Sequence, residues 1–299
     1  VRQALRRCAE RAATVAALAA ALAWSPCGWA DASVPDYARE SRWAEQIAPS
    51  VMVGDAVWLK TPDRDRVLAL FTPAQGAAKG GVVIVHGLGV QPDFGIVGEL
   101  RGALAERGFA TLSVQMPVLG VDALPAEYPP LFPIAGDRID AAVEWLRARN
   151  IAPVAVVAHS LGAAMSNAWL ARAQHAEVAA FVAMGMGVPF AAAKLPPVLD
   201  ITAERDLPAV LANAPLRALA LPKNSCSGTL RSWSETTTGC GTSAHRPMVS
   251  TRSAWMASIR CQIDRRASKS VAFIQSWARP VSCCPIGMSG ASPDMPWVS

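Results

Sequence analysis

The sequence has 299 residues, of which 52% are hydrophobic, and a formal net charge of +5. This length suits one large α/β domain or two small ones. The charge is unevenly distributed, because residues 31–222 hold fifteen basic and nineteen acidic side chains and the basic excess lies at the two ends. A nucleic-acid-binding surface requires clustered Lys and Arg on the folded domain. The composition therefore argues against nucleic acid as a partner.

The first thirty residues have the features of a secretory signal peptide. Four arginines, Arg2, Arg6, Arg7 and Arg11, precede an apolar segment from Ala12 to Trp24, and Gly28 and Ala30 are the small residues expected before a cleavage site. The sequence thus predicts cleavage after Ala30 and export to the periplasm of a Gram-negative-type bacterium. A retained anchor or a short buried helix is the alternative. No later apolar run reaches the roughly 18 residues of a membrane span.

Beyond the signal, a short helix is predicted near residues 40–47 and two strands at 51–59 and 66–72. The chain then alternates between apolar strands and amphipathic helices, which favours a doubly wound, mostly parallel α/β sheet. Further strands are predicted at 81–85, 110–115, 154–158, 178–184 and 197–202, and helices at 96–107, 137–149, 161–172 and from 208 onward. A proline-rich loop occupies residues 117–135.

The composition changes at about Lys223, beyond which neither helical nor strand periodicity continues. Five of the seven cysteines follow this point, and none lies between residues 31 and 222. So long a stretch without periodicity is unusual inside a compact domain. The predicted organisation is a signal peptide at 1–30, a folded domain at 31–222 and an atypical tail at 223–299. The tail is interpreted as disordered or as the product of a frameshift near residues 215–223.

Ser160 lies at the junction of a predicted apolar strand and a predicted helix. The segment Ala158-His159-Ser160-Leu161-Gly162 is similar to the G-x-S-x-G nucleophile elbow, with alanine in place of the first glycine. Small flanking residues are needed because strand and helix approach closely around a strained turn. This geometry exposes the hydroxyl at the carboxyl end of the sheet, so Ser160 is the predicted nucleophile. An ordinary serine in a strand-to-helix turn is the alternative.

A second motif, His86-Gly87-Leu88-Gly89, directly follows the first parallel strand. It looks like a loop that supplies one donor of an oxyanion hole. The backbone N–H groups of Leu88 and Leu161 are predicted to stabilise the negative oxygen of a tetrahedral intermediate. The glycines allow the backbone to come close, and His86 is expected to hold the loop rather than to act as a base.

These motifs resemble the α/β-hydrolase superfamily over roughly residues 50–222. In detail the sequence looks like a poorly characterised family of exported bacterial proteins of this fold. The segments that carry the likeness are HGLGVQPDFG at 86–95, GFATLSVQMP at 108–117, AHSLGAAM at 158–165 and PVLDITAERD at 197–206. The resemblance implies neither metal nor cofactor, and the short sequence between Ser160 and Asp206 leaves little room for a cap domain.

The resemblance also implies a triad acid in the turn after the strand at 197–202. Asp206 occupies that place and Asp200, within the strand, is the second choice; a solvated turn aspartate is the alternative. The order serine, aspartate, histidine requires a histidine beyond Asp206, and only His245 qualifies. Its surroundings lack the usual Gly-x-Asp. Read two bases later, Trp233–Gly239 can encode Val-Gly-Asp-Asp-His-Gly, which contains that pattern.

The predicted function is therefore a serine hydrolase that transfers the acyl group of a small-molecule carboxylic ester or thioester to Ser160. Two alternatives stay open. One is a non-catalytic envelope protein that keeps the fold for binding, and the other is an inactive truncated or frameshifted copy.

Overall fold

The computed structural model describes residues 34–222 and 224–230. The described residues from Pro35 onward belong to one compact unit. The predicted signal peptide at 1–30 and His245 lie outside the described residues. No helix within the described ranges is long and apolar enough to cross a membrane.

Within these described ranges, eight strands form one sheet in the order β1-β2-β4-β3-β5-β6-β7-β8. Strand β2 is antiparallel to β1 and β4, and the remaining neighbours are parallel. The strands are β1 Asp55–Leu59, β2 Val67–Thr72, β3 Gly81–Val85, β4 Ala110–Val114, β5 Val154–His159, β6 Ala180–Met184, β7 Val198–Ala203 and β8 Cys226–Leu230. The doubly wound, mostly parallel sheet predicted from the sequence is confirmed.

Five α-helices in the described part of the chain accompany the sheet. They are α1 Tyr37–Ile47, α2 Gly95–Glu106, α3 Phe132–Arg147, α4 Leu161–Leu170 and α5 Pro208–Ala220. Helix α3 begins five residues before the predicted start, because Pro133 lies in its first turn, where the missing N–H costs no hydrogen bond. The proline-rich loop before it contains two short 3₁₀ turns, at 125–127 and 129–131.

The sheet is covered on both faces, which explains why its parallel strands are continuous apolar runs. All five residues of β3 are buried, as are all five of β4 and of β6. Helices α3 and α4 pack on one face, where Ile139 and Trp169 are fully buried, and α2 packs on the other through Leu100 and Leu104. Strand β5, which leads to Ser160, is paired on both sides, with β3 and with β6.

Strand β8 extends the fold beyond the predicted boundary at residue 222. It pairs in parallel with β7, from Leu199 opposite Cys226 to Ala203 opposite Leu230. Its burial alternates, since Cys226 and Gly228 are buried and Ser227 and Thr229 are exposed. The expectation that strand periodicity stops at Lys223 is therefore wrong for these residues, because small and polar side chains conceal a period of two. Cys226 is disulfide-bonded.

Candidate active site

Ser160 occupies a strained turn between β5 and α4. Its φ of 54° and ψ of −121° lie outside the regions that residues other than glycine normally adopt, at a cost of about 1–3 kcal/mol. The backbone N–H of Ser160 donates to the carbonyl oxygen of Met184 in β6 at 2.8 Å. The strained backbone turn expected of a nucleophile elbow is thus present at Ser160, and the role of Ser160 as nucleophile stays a prediction.

The elbow lies against the loop that follows β3, and two glycines make this contact possible. A Cβ at Gly162 would lie 2.1 Å from the carbonyl oxygen of His86, and one at Gly87 would lie 3.2 Å from the Cβ of Ser160. Ala158, which replaces the first glycine of the motif, is fully buried within the core. The fold therefore has room for a methyl group at position 158, two residues before the serine, but not at position 162, two residues after it.

The two predicted oxyanion donors lie at this contact. Leu161 is the first residue of α4, and Leu88 follows Gly87 in the loop. Within the described residues, neither N–H donates a hydrogen bond to another protein atom. The N-terminus of a helix also concentrates partial positive charge. This arrangement suits a developing negative charge beside Ser160.

His86 is buried and fastens the loop to the end of β4. Its Nε2 accepts the backbone N–H of Met116 at 2.8 Å, so Nδ1 carries the proton and donates to the carbonyl oxygen of Gly87 at 3.0 Å. Burial lowers the pKa of His86 to about 4. A neutral imidazole with both nitrogens engaged is an anchor and a poor general base.

His159 lines the same cavity as Ser160, and Asp206 acts on it electrostatically. Burial lowers the pKa of the His159 imidazole, and the Asp206 carboxylate opposes this shift. The Asp206 carboxylate also accepts the backbone N–H of Ala203 at 3.1 Å and that of Leu207 at 2.9 Å. The predicted acid is therefore held by its own turn, at a position from which it influences His159 electrostatically.

Asp200, the second choice for the acid, has a structural partner instead. Both of its carboxylate oxygens accept from Nε of Arg217 at 3.0 Å, and both side chains are buried. The same guanidinium donates to Thr202 Oγ1 at 3.1 Å and to the carbonyl oxygen of Met186. Burial raises the pKa of Asp200, and Arg217 opposes that effect. This ion pair attaches α5 to β7 and leaves Asp206 as the candidate acid.

A cavity of about 210 Å³ opens beside Ser160. Apart from Ser160, His159 and His86, its lining consists of glycines and apolar side chains: Gly87, Leu88, Val90, Phe94, Gly95, Ile96 and Val97. No Lys, Arg, Asp or Glu is among these residues. The cavity lies between the loop after β3 and the first turn of α2, and its lining favours an uncharged, apolar group. It is smaller than the roughly 300–1,000 Å³ typical of sites for drug-sized ligands.

Arg39 lies close to the site and was not predicted from the sequence. Arg39 in α1 donates from Nη2 to the carbonyl oxygen of Gly89 at 2.9 Å and from Nη1 to that of Leu119 at 2.8 Å. Its partners are backbone atoms 50 and 80 residues away in the sequence. No local sequence pattern therefore predicts the contact. His175, by contrast, lies beyond the far end of α4, against Trp169.

Comparison with protein families identifies the fold. The model of the alpha/beta hydrolase family matches residues 82–284, about two thirds of the sequence, and the chain belongs to this family. A second model, described as a protein of unknown function (DUF3530), matches residues 9–131. No curated protein matches the chain.

Solved structures with a similar fold are distant in sequence. An alpha-beta serine hydrolase homologue from Coxiella burnetii is 16% identical, with a TM-score of 0.39 over 52% of this chain and 76% of that one. An esterase from Pyrococcus furiosus is 13% identical, with a TM-score of 0.47 over 58% and 81%. A dienelactone hydrolase from Anabaena variabilis is 21% identical, with a TM-score of 0.44 over 58% and 82%.

Proposed function

We propose that the protein is a serine hydrolase that acts on carboxylic esters or thioesters through Ser160. The observation that supports this proposal is the strained turn at Ser160, which lines an apolar cavity together with Leu88. Among the described residues, the N–H groups of Leu88 and Leu161 have no protein acceptor. A strained serine without such neighbours would cost stability and offer no chemistry.

The proposed reaction is acyl transfer in two stages. Ser160 Oγ bonds to the carbonyl carbon as a histidine takes its proton, and the N–H groups of Leu88 and Leu161 bind the oxyanion. Collapse of the intermediate expels the alcohol or thiol, which leaves with that proton. Water then attacks the acyl-enzyme in the same way and releases the carboxylic acid. Asp206 would orient the histidine and stabilise its charged form.

Two histidines are candidates for the general base. His245 is the candidate that the chain order implies, and it lies outside the described residues. Of the described histidines, His159 is the one that both lines the cavity and responds to Asp206. Activity that disappears in His245→Ala and persists in His159→Ala would favour His245, and the opposite result would favour His159.

The substrate proposal follows from the cavity. An uncharged lining of about 210 Å³ suits a short, apolar acyl group, so p-nitrophenyl butyrate is the first substrate to test. Purified protein should release p-nitrophenol, and Ser160→Ala should abolish release while Ser50→Ala, an exposed serine, retains it. Equal activity in the Ser160→Ala variant would exclude Ser160 as the nucleophile.

A second candidate function is ligand binding without catalysis. It is favoured by one observation, namely that the two described histidines at the cavity are His86, which is fully engaged, and His159, which precedes the serine. A fluorophosphonate distinguishes the two functions, because Ser160 Oγ displaces fluoride from phosphorus only when a base removes the hydroxyl proton. Stoichiometric labelling at Ser160 supports the hydrolase, whereas absence of labelling supports the binding protein.

Export to the periplasm, with cleavage after Ala30, is also a proposal. It rests on the arginines and the apolar segment of residues 1–30. Amino-terminal sequencing of protein recovered from the periplasm of an expressing bacterium should begin at Asp31. Recovery of the intact amino terminus from the cytoplasm would contradict it.

A further inference from the structure

Arg39 joins two loops that leave the carboxyl edge of the sheet. Its two terminal nitrogens donate to the carbonyl oxygens of Gly89 and Leu119 at 2.9 and 2.8 Å. Gly89 ends the His86–Gly89 motif, and Leu119 lies in the proline-rich loop. The N–H of Leu119 in turn donates to the hydroxyl of Tyr128, whose side chain is buried. One guanidinium thus ties the motif to a second, anchored segment.

The guanidinium is itself held in place. It lies over the ring of Trp43 at 4.5 Å, and the backbone N–H of Arg39 donates to Asp36 Oδ1 at 2.8 Å, which caps α1. The next residue, Glu40, is 2% exposed and accepts from Arg138 at 3.0 Å and from a second arginine, Arg64, at 2.9 Å. Helix α1 is therefore fixed to the body of the protein at the turn that carries Arg39.

The contact bears directly on Leu88. The carbonyl of Gly89 is one residue beyond the Leu88 N–H, and Gly89 has a φ of +63° that completes the turn. The carbonyl oxygen of Gly87, which shares a peptide plane with the Leu88 N–H, accepts from Nδ1 of His86 at 3.0 Å. Because the Gly89 carbonyl lies two peptide planes further on, fixing it as well restrains the short segment between the two contacts. We propose that Arg39 is a positioning residue for the oxyanion hole, one that holds the Leu88 N–H in its direction toward Ser160. This inference rests on the proposed hydrolase function.

A donor that acts on the oxyanion stabilises the transition state more than the bound substrate. Loss of an oxyanion donor lowers kcat by roughly 100- to 1000-fold, and a displaced donor should cost part of that. We therefore expect Arg39→Met to lower kcat on p-nitrophenyl butyrate by roughly 10- to 100-fold, with KM changed less than threefold. Arg39→Lys, which keeps the charge but has a single nitrogen, should recover part of the loss.

Arg42→Met is the matched control, because Arg42 is exposed on the same helix. The fluorophosphonate titrates active sites, so kcat is expressed per reactive Ser160 and misfolded molecules are not counted. Amide hydrogen exchange provides a readout independent of turnover. Peptides from the loop at residues 86–95 should exchange faster in Arg39→Met than in wild-type protein or Arg42→Met.

The outcomes separate the inference from the function on which it rests. A lower kcat per active site together with faster exchange in the loop, both absent from Arg42→Met, supports the positioning role. An unchanged kcat per active site, a change confined to KM, or unchanged exchange overturns it while the hydrolase stands. Wild-type protein that neither hydrolyses the ester nor reacts with the fluorophosphonate overturns the proposed function, and the inference with it.

Discussion

At the scale of single residues, the site depends on its glycines as much as on its polar side chains. Gly162 has no Cβ, and this lets the elbow lie directly against the backbone of His86. The strain at Ser160 is sustained because β5, β6 and α4 determine the backbone on both sides of it.

Gly162→Ala should destabilise the protein. The new methyl carbon would lie 2.1 Å from a carbonyl oxygen, so backbone on one side has to move, and such overpacking costs about 1–3 kcal/mol. Urea unfolding measures the loss. Gly102→Ala is the control, since nothing lies within 4 Å of its added carbon; it should gain about 0.5–1 kcal/mol as a helical position. Equal effects of the two substitutions would contradict the close contact.

His86 should make stability depend on pH. Its folded-state pKa of about 4 lies below the ordinary value of 6.5, so between these values the unfolded chain binds a proton that the folded protein does not. The free energy of unfolding should therefore fall as pH decreases through this window, by about 3 kcal/mol in total. His86→Gln should show a shallower decline in urea midpoints measured from pH 7 to 4. His175→Gln is the control for the loss of a histidine outside the site. If urea midpoints of His86→Gln fall with pH as steeply as those of the wild type, His86 is not the cause of the pH dependence.

At the scale of elements, local patterns predicted more of the fold than of the site. Strand β3 was predictable residue for residue because Gly81–Val85 is an apolar run bounded by a turn. The elbow was predictable because its requirement for small residues is local. The contacts of Arg39 and Arg217 were not, since each joins residues that are adjacent only after folding. Strand β8 was missed because its side chains are small and half of them face solvent.

The first turn of α2 should control the length of the acyl group. Ile96 lines the cavity beside Ser160, so the larger side chain in Ile96→Trp should fill much of its volume. We expect a preference shifted from the butyrate toward the acetate ester by roughly tenfold in kcat/KM, as loss of space for two methylenes implies. Leu124→Trp, at an exposed position outside the lining, should leave the preference unchanged. An unaltered acetate-to-butyrate ratio in Ile96→Trp would show that the acyl group binds elsewhere.

At the scale of the whole molecule, the sheet depends on residues beyond Lys223. All six residues of β7 are buried, and β8 covers its outer edge through parallel pairing. The side chain of Ser225 also accepts the N–H of Val198, the first residue of β7, at 2.8 Å. An exposed apolar edge of this kind favours association with other chains.

A chain that ends at Pro222 should therefore aggregate more than a chain that ends at Leu230. Gel filtration of the two, expressed side by side, measures the difference, and the shorter chain should appear mainly in the void volume. Similar monomer yields would show that β8 does not protect the edge.

The frameshift hypothesis concerns the chain beyond about residue 223. It stays a prediction, because Trp233–Gly239 lies outside the described residues. Sequencing the gene across codons 210 to 250 tests it directly. A corrected frame that encodes a Gly-x-Asp-His turn would identify the general base, and confirmation of the present frame would leave His245 and His159 as the candidates.

The position of Arg39, five residues after the first described residue, constrains how the protein can be produced. Asp36 caps α1 and its N–H donates to the carbonyl oxygen of Val118 at 2.7 Å, so an expressed form that starts even a few residues later loses the attachment of both loops. An affinity tag fused directly ahead of Asp36 would crowd the same place. The first residue of the expressed protein should therefore affect the measured kcat. A protein shortened for crystallisation could give good crystals and still show a kcat below that of the longer chain.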